Sequence, residues 1–439
     1  MQSETTTQGE TRAGEASADL SALRKEFNAL LNQDHDLLVD PYPLHTRLRE
    51  QAPILKLDET TAVVSSFELG STVYRDSARF KAIEGRVMGF ESRLALLGEE
   101  DLDLYRKFFE YRGGWLTNIN GERHRRVRSA AMRGFGRALL EEIKGTLVQR
   151  VDMLLDQLAA QENPDFITFA DRLPVYVIMD VMGAPAENAE QVKDWSNSIA
   201  MIGGHAGPLT PEIVRGSYEA MVAFQEYVAE LIAEQRTRSN LPRTALTLMD
   251  ASEADHLNEQ ELAGLYLLLL FAGHETTASL LTNGIVHLLQ HREQWDMICK
   301  DPETYIPGAI EEILRFDPPV PFFAKETIEA QELGGLELGP HTMVFVDNAA
   351  ANRDPAQFEN PDVFDITRQS KQTLAFGLGV HFCLGAPLAR LEGKVAFERL
   401  VQRFPDIELA ADVDTLEYRP NYLLRGIMKV PVRPGRDRG

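Results

Sequence analysis

The residues from Phe376 to Gly385 read Phe-Gly-Leu-Gly-Val-His-Phe-Cys-Leu-Gly and carry a single sulfur, that of Cys383. Gly377, Gly379 and Gly385 let the backbone turn tightly and approach a flat partner closely. The stretch that follows, 386 to 397, has the pattern of an amphipathic helix. A thiolate just ahead of a helix start gains from the free N–H groups and the positive dipole end there. The loop presents one sulfur anion to something electropositive, and the partner that fits is a haem iron with Cys383 as its axial ligand.

A second group of reactive types is Ala272-Gly273-His274-Glu275-Thr276-Thr277, inside the longest helical pattern of the chain, Asn258 to about Gln290. Helical spacing puts Leu265, Leu268 or Leu269, Ala272 and Thr276 on one stripe. Ala272 and Gly273 leave room for a large flat group against the backbone. Thr276 offers a hydroxyl beside the acid Glu275, and an alcohol with a carboxylate relays protons through water. A mid-helix Thr also bonds back to the carbonyl one turn earlier. Taken alone, the same residues read more readily as a core helix with an incidental polar pair. Glu312 and Arg315 share one face of another helix at a spacing that pairs them. The polar segment Asn352-Arg353-Asp354-Pro355 to Arg368 suits a packed turn docked on that pair. Arg123, Arg125, Arg126, Arg128, Arg133 and Arg137 form a basic run that also reads as a solvated helix face.

These groups need elements to position them. The chain has 439 residues, 44% hydrophobic and 26% charged, which suits a globular protein with a large core. A formal charge of −22 argues against nucleic acid or an anionic membrane surface as partner. Two cysteines, Cys299 and Cys383, exclude a disulfide framework and a cysteine zinc quartet and suit a reducing cytoplasm. The polar start lacks an apolar signal core, and the most apolar run, 263–273, is too short to span a bilayer. The expected organisation is a disordered tail over 1–18, one domain over 19–433 and a charged tail over 434–439. The fold class is mainly α with a minor β-rich part. Asn258 with Glu261 makes a capping box for a central rod of roughly 50 Å. Helices are expected over 139–161, 166–182, 211–237 and 307–315. Residues 54–64 suit a hairpin, and 336–340 with 342–346 a second one. Residues 81–118 suggest a surface lobe with its own small core, and 199–209, with its glycines and proline, a mobile connection.

The chain resembles the bacterial cytochromes P450, the haem–thiolate monooxygenases, over roughly residues 35 to 433. The loop Phe376 to Gly385 matches that family's Phe-Gly-x-Gly-x-His-x-Cys-x-Gly pattern at every fixed position. The Ala-Gly-x-Glu-Thr-Thr, Glu-x-x-Arg and Asn-Arg-Asp-Pro segments follow the family's order. The resemblance implies haem b, iron protoporphyrin IX, held by Cys383, with Phe376 packed beside the sulfur and Gly377, Gly385 and Ala272 around the ring. It implies that His124, Arg128 and His381 reach the propionates. Lys325 stands where the family often has an arginine, and lacks the arginine fork. Glu312 and Arg315, joined by a residue of 353–368, lock the core. The basic run serves the propionates and an acidic electron donor.

The activity implied is insertion of one oxygen atom from O₂ into a largely apolar small molecule, a hydroxylation or epoxidation of secondary metabolism, with Glu275 and Thr276 delivering protons. The partners implied are a ferredoxin and its NAD(P)H-dependent reductase, the enzyme being a cytoplasmic monomer. The pocket walls implied include Phe90, Leu268, Leu269, Ala272, Val320, Phe322, Phe323 and Leu423. A peroxide-driven oxygenase or haem isomerase usually replaces the acid–alcohol pair present here. A non-catalytic haem–thiolate sensor needs Cys383 but neither Glu275 nor Thr276.

Overall fold

One helix of 32 residues, Glu259–Gln290, runs through the middle of the molecule for about 48 Å. Its start is fixed by a capping box: Asn258 Oδ1 accepts from the Glu261 N–H, and the Glu261 carboxylate accepts from the Asn258 N–H. The helix is long and apolar enough to cross a membrane, yet 78% of its apolar window is buried inside the protein, as a core helix requires. The structure, a computed structural model, describes residues 19–83, 91–204, 208–254, 257–369 and 371–438. The tail expected over 1–18 lies outside the described residues.

In chain order the helices are α1 (19–31), α2 (His35–Val39), α3 (Tyr42–Gln51), α4 (Phe67–Arg75), α5 (Glu99–Arg112), α6 (Gly121–Gly134), α7 (Arg137–Ala159), α8 (Ile167–Met182) and α9 (Ala189–Gly204). They continue with α10 (Pro211–Gln235), α11 (Arg243–Ala254), the central α12, α13 (Arg292–Lys300), α14 (Pro302–Phe316), α15 (Asn348–Ala351) and α16 (Ala386–Arg403). The β part is small. β1 (Ile54–Lys56), β2 (Thr61–Val64), β3 (Phe80–Lys81), β4 (Phe322–Thr327) and β7 (Met343–Asp347) form one sheet in the order β1-β2-β7-β4-β3. β5 (Gln331–Leu333) pairs with β6 (Leu336–Leu338), and β8 (Glu408–Leu409) with β9 (Val432–Arg433). The mainly α expectation and the hairpin at 54–64 match this architecture.

Close backbone approaches show where α12 is clamped. A Cβ on Gly273 would meet Ile178 of α8 at 3.3 Å, and one on Gly284 would lie 2.8 Å from Ile313 of α14 and 2.9 Å from Phe397 of α16. Bulkier residues there would push the helices apart.

Several local expectations are corrected. Tyr105, Phe108, Phe109 and Trp115 do not form a lobe with its own core; they are buried in the main helical core. Residues 199–204 are the last turns of α9, not a mobile connection. Their glycines answer a lack of space: a Cβ on Gly204 would fall 2.0 Å from Asn421 Oδ1. α14 begins at Pro302, capped by Asp301, so Pro307 lies inside the helix. β6 does not pair with β7. Gly334 and Gly335, at φ 56° and 83°, make the tight turn that returns β6 to β5, while β7 pairs in parallel with β2 and antiparallel with β4. The charged end is pinned by ion pairs of Asp437 with Arg403 and of Arg438 with Asp406.

Candidate active site

A cavity of about 440 Å³ separates α12 from the Cys383 loop. The loop is shaped by two left-handed glycines, Gly377 at φ 65° and Gly379 at φ 70°. At Gly379 a side chain would also strike the Tyr74 carbonyl, 2.6 Å from the Cβ position. Gly385 differs from the expectation. Its φ of −79° is ordinary helical backbone, and its Cβ position lies 4.0 Å from the Cys383 sulfur. The Cys383 N–H donates to the Phe376 carbonyl at 3.0 Å. The Phe376 ring stacks under Arg390, whose guanidinium lies 4.6 Å from its centroid. Burial pushes the Cys383 thiol up; the N–H groups of Gly385 and Ala386, then Arg128 and Arg390, pull it back. The sulfur is enclosed by protein but open to the cavity.

One wall is basic. His124 and His381 face each other with ring centroids 4.1 Å apart. Burial lowers His124 to about 4, helped by Arg128, Lys325 and Arg125, so both rings are neutral near pH 7 beside two cations. Lys325, on β4, is held down to about 8 by burial and has no acidic partner among the described residues. Arg128 donates to the Phe382 carbonyl at 2.7 Å. His124 Nε2 is buried without a partner. Four basic side chains with no carboxylate among them fit the two propionates of an iron porphyrin. The cavity-facing Ala272 and Gly273 supply the flat face opposite the sulfur.

The α12 wall carries Thr276, whose hydroxyl bonds the Ala272 carbonyl at 3.1 Å and borders the cavity. Glu275, on the neighbouring face, is buried. Burial raises its carboxyl to about 7, against the pull of Arg419 at 3.4 Å. Arg419 also meets Asp171 at 3.2 Å, and Asp171 meets Lys193 at 3.2 Å, a chain of charges that ends at partly exposed side chains. Leu268, Leu269, Val320, Phe322, Phe323 and Leu423 all line the cavity, whereas Leu265 is packed into the core. Phe90 lies outside the described residues.

Glu312 and Arg315 form a bidentate pair at 2.7 and 2.8 Å, away from the cavity, and Arg368 joins them at 3.1 Å. Arg353 donates to the Phe316 carbonyl and lies between the rings of Tyr42 and Phe316. Asn352 holds the Leu374 N–H and Asp354 the Phe67 N–H, so each member of this segment fixes a different element. Two of the six arginines of the basic run are likewise structural, because Arg123 and Arg126 both grip Glu261 at the start of α12. Arg93, Arg112 and Trp115 lie on the cavity wall, within the stretch 84–116 that the family resemblance implies for the pocket; residues the sequence did not single out are Arg419 beside Glu275, and Glu392. The last is a cavity-lining carboxyl on α16 whose pKa burial raises, with Oε2 buried and without a partner among the described residues. Within 84–116, an Arg with a Trp three residues on was the one local hint.

Comparison with known proteins accords with this geometry. The family model described as cytochrome P450 matches residues 101–424. Cytochrome P450 107B1 of Saccharopolyspora erythraea is 39% identical over 325 residues, 74% of this chain and 78% of that one. The polyketide biosynthesis cytochrome P450 PksS of Bacillus subtilis is 37% identical, over 70% of this chain and 75% of its own. The 6-deoxyerythronolide B hydroxylase of S. erythraea is 32% identical over 90% of this chain and 96% of its own. Among solved structures, P450BioI in complex with a hexadec-9Z-enoic acid ligated acyl carrier protein superposes with a TM-score of 0.80 at 31% identity, covering 90% of this chain and 99% of that one. The match spans both walls of the cavity as well as the Glu312–Arg315 lock, and the chain belongs to the cytochrome P450 family.

Proposed function

We propose that this cytochrome P450 monooxygenase inserts one oxygen atom from O₂ into a largely apolar small molecule of secondary metabolism, within one domain over 19–433. The observation that carries the reading is a single cavity faced by the Cys383 sulfur, the Thr276 hydroxyl and a wall of apolar side chains. Haem b bound at Cys383 supplies O₂ activation and oxygen transfer to a C–H or C=C bond, the thiolate favouring O–O cleavage. His124, Arg128, His381 and Lys325 hold its propionates. Leu268, Leu269, Val320, Phe323 and Leu423 exclude water and orient the substrate.

Protons are this chain's own contribution. Arg419, itself held by Asp171 and through it Lys193, positions the Glu275 carboxyl that carries the proton, and Thr276 holds a proton-bearing hydroxyl on the cavity side. Rotation of Glu275 away from Arg419 joins the two. Electrons come from a ferredoxin and its NAD(P)H-dependent reductase, the partners that the family resemblance implies. The donor docks where Arg125 and the exposed Met132 of α6 adjoin the exposed Val380 and Phe382 of the cysteine loop. Similarity to PksS, a polyketide biosynthesis cytochrome P450, favours a polyketide-like skeleton as substrate; in this reading the enzyme is a cytoplasmic monomer.

The test is a reduced CO-difference spectrum followed by turnover with surrogate ferredoxin partners. A thiolate-type Soret band with oxygenated product from a spin-shifting compound is expected. In Thr276→Ala the product formed per NAD(P)H falls several-fold. A band without any product would leave only a sensor, and unchanged coupling in Thr276→Ala removes the hydroxyl from proton delivery.

A further inference from the structure

Among the described residues, the cavity wall carries four cationic side chains, Arg93, Arg112, Arg128 and Lys325, and one carboxyl, Glu392, whose charged form burial disfavours. Arg128 and Lys325 belong with His124 and His381, whose protonation they disfavour. Arg93 and Arg112 stand elsewhere, and their charge acts on Tyr105 and Tyr422.

These two arginines converge on the end of α9. Arg93, 2% exposed, donates one Nη2 bond at 2.7 Å to the Ile202 carbonyl, and its Nε is buried without an acceptor. Arg112, at the end of α5, lies with Nη1 3.4 Å from the Cβ position of Gly203 and 5.2 Å over the Trp115 ring. Its side chain is half-buried and borders the cavity. It donates no hydrogen bond to any described residue, and its Nε is buried and unpartnered. Burial pulls its pKa down to about 10, with no carboxylate opposing. Trp115 Nε1 and Tyr105 OH are buried and unpartnered in the same corner. The corner is therefore made of donors that lack acceptors. A guanidinium removed from water without an acceptor is costly, and the lack is met when a ligand brings an oxyanion.

We propose that Arg93 and Arg112 form an anion-binding corner of the substrate pocket, so that the substrate is an apolar molecule with an oxyanion head group, a carboxylate or a phosphate. This rests on the monooxygenase reading and narrows its substrate class. Trp115 packs on Phe271 with centroids 5.0 Å apart, and Phe271 adjoins Ala272. A head group held at Arg112 lets the apolar body run past Leu268, Leu269 and Leu423 toward Thr276. Oxidation then falls on the body, away from the charged end.

The test uses the haem-loaded protein and three matched series: hexanoic, dodecanoic and hexadecanoic acids, their methyl esters, and the corresponding alkyl phosphates. Affinity is read by calorimetry and by the ferric Soret shift. At least one acid or phosphate is expected to bind about tenfold tighter than its neutral partner. Arg112→Gln and Arg93→Gln should erase that preference while leaving ester affinity unchanged, and Arg112→Lys should restore part of it. The tighter of the two anions names the head group. Equal binding of anion and ester, no binding by any anion, or a preference that survives Arg112→Gln overturns the proposal. A protein lacking the thiolate-type CO band would instead fail the monooxygenase reading, and the calorimetric preference would still be read on its own.

Discussion

Arg315 is buried in the protein and Arg112 is half-buried on the cavity wall, and the fold treats the two guanidinium groups in opposite ways. Arg315 is 1% exposed and saturated. It holds Glu312 through two bonds and the carbonyls of Asn352, Pro361 and Val363 through three more. Arg112 has an aromatic ring beneath it and no acceptor among the described residues. An arginine whose task is to hold the protein together arrives with its partners. One that waits for a ligand keeps its donors open toward the space the ligand fills. Arg419 lies between these extremes. It shares Asp171 and Glu275 at 3.2 and 3.4 Å, long enough for Glu275 to be released.

The largest effect should come from breaking the saturated case. Arg315→Leu strands the buried Glu312 carboxylate and three carbonyls, a loss of about 3–5 kcal/mol. Arg368 still reaches Glu312 at 3.1 Å but cannot replace the bonds to Asn352 and Pro361. The expected result is little soluble haem-loaded protein at 37 °C and a lowered thermal midpoint in what survives. A midpoint equal to the parent's would show that the lock is ornamental.

The intermediate case sets a pH dependence. Burial lifts the Glu275 carboxyl to about 7, so below that pH it carries a proton to give and above it does not. Productive coupling should therefore fall as pH rises through about 7. Glu275→Gln cannot pass a proton, and its proton-dependent step should drop on the order of 100-fold at low pH and lose the inflection. Steady-state coupling measured from pH 5.5 to 9 decides the matter (a range of about two units around the inflection on the alkaline side). An inflection that persists in Glu275→Gln assigns it to another group.

The same contrast explains what the sequence reveals. The cysteine loop is legible because ten contiguous residues do its work, with φ of 65° and 70° at two glycines that nothing else can adopt cheaply. The long rod is legible from its capping box and its 32-residue apolar pattern. The pairing of residues 336–346 is not, because alternation marks a strand without naming its neighbour. The partner of β7 is β2, far away in the chain. Gly203 and Gly204 read as freedom and turn out to mark a close approach to Arg112 and Asn421. The open corner is hardest of all. Its character depends on what α5, α9 and residues 421–424 fail to supply to one another, and a missing acceptor leaves no local signature.

The smallest stability effect should fall on the unsaturated arginine, and it is the sharpest check of the contrast. Replacing Arg112 by Leu forfeits its stacking on Trp115, worth about 0.5–2 kcal/mol. It also removes a charged group whose donors are enclosed without acceptors, which returns roughly 1–3 kcal/mol. The two nearly cancel, so the thermal midpoint of the haem-loaded protein should move by less than about 3 °C in either direction. Arg315→Leu, an identical change of side chain at a fully buried and saturated position, should collapse the midpoint. The pair of variants, scanned side by side by calorimetry, turns the contrast into a measured difference. A drop in Arg112→Leu as deep as that in Arg315→Leu would mean that Arg112 is also a structural anchor, and the two arginines would then belong to one class.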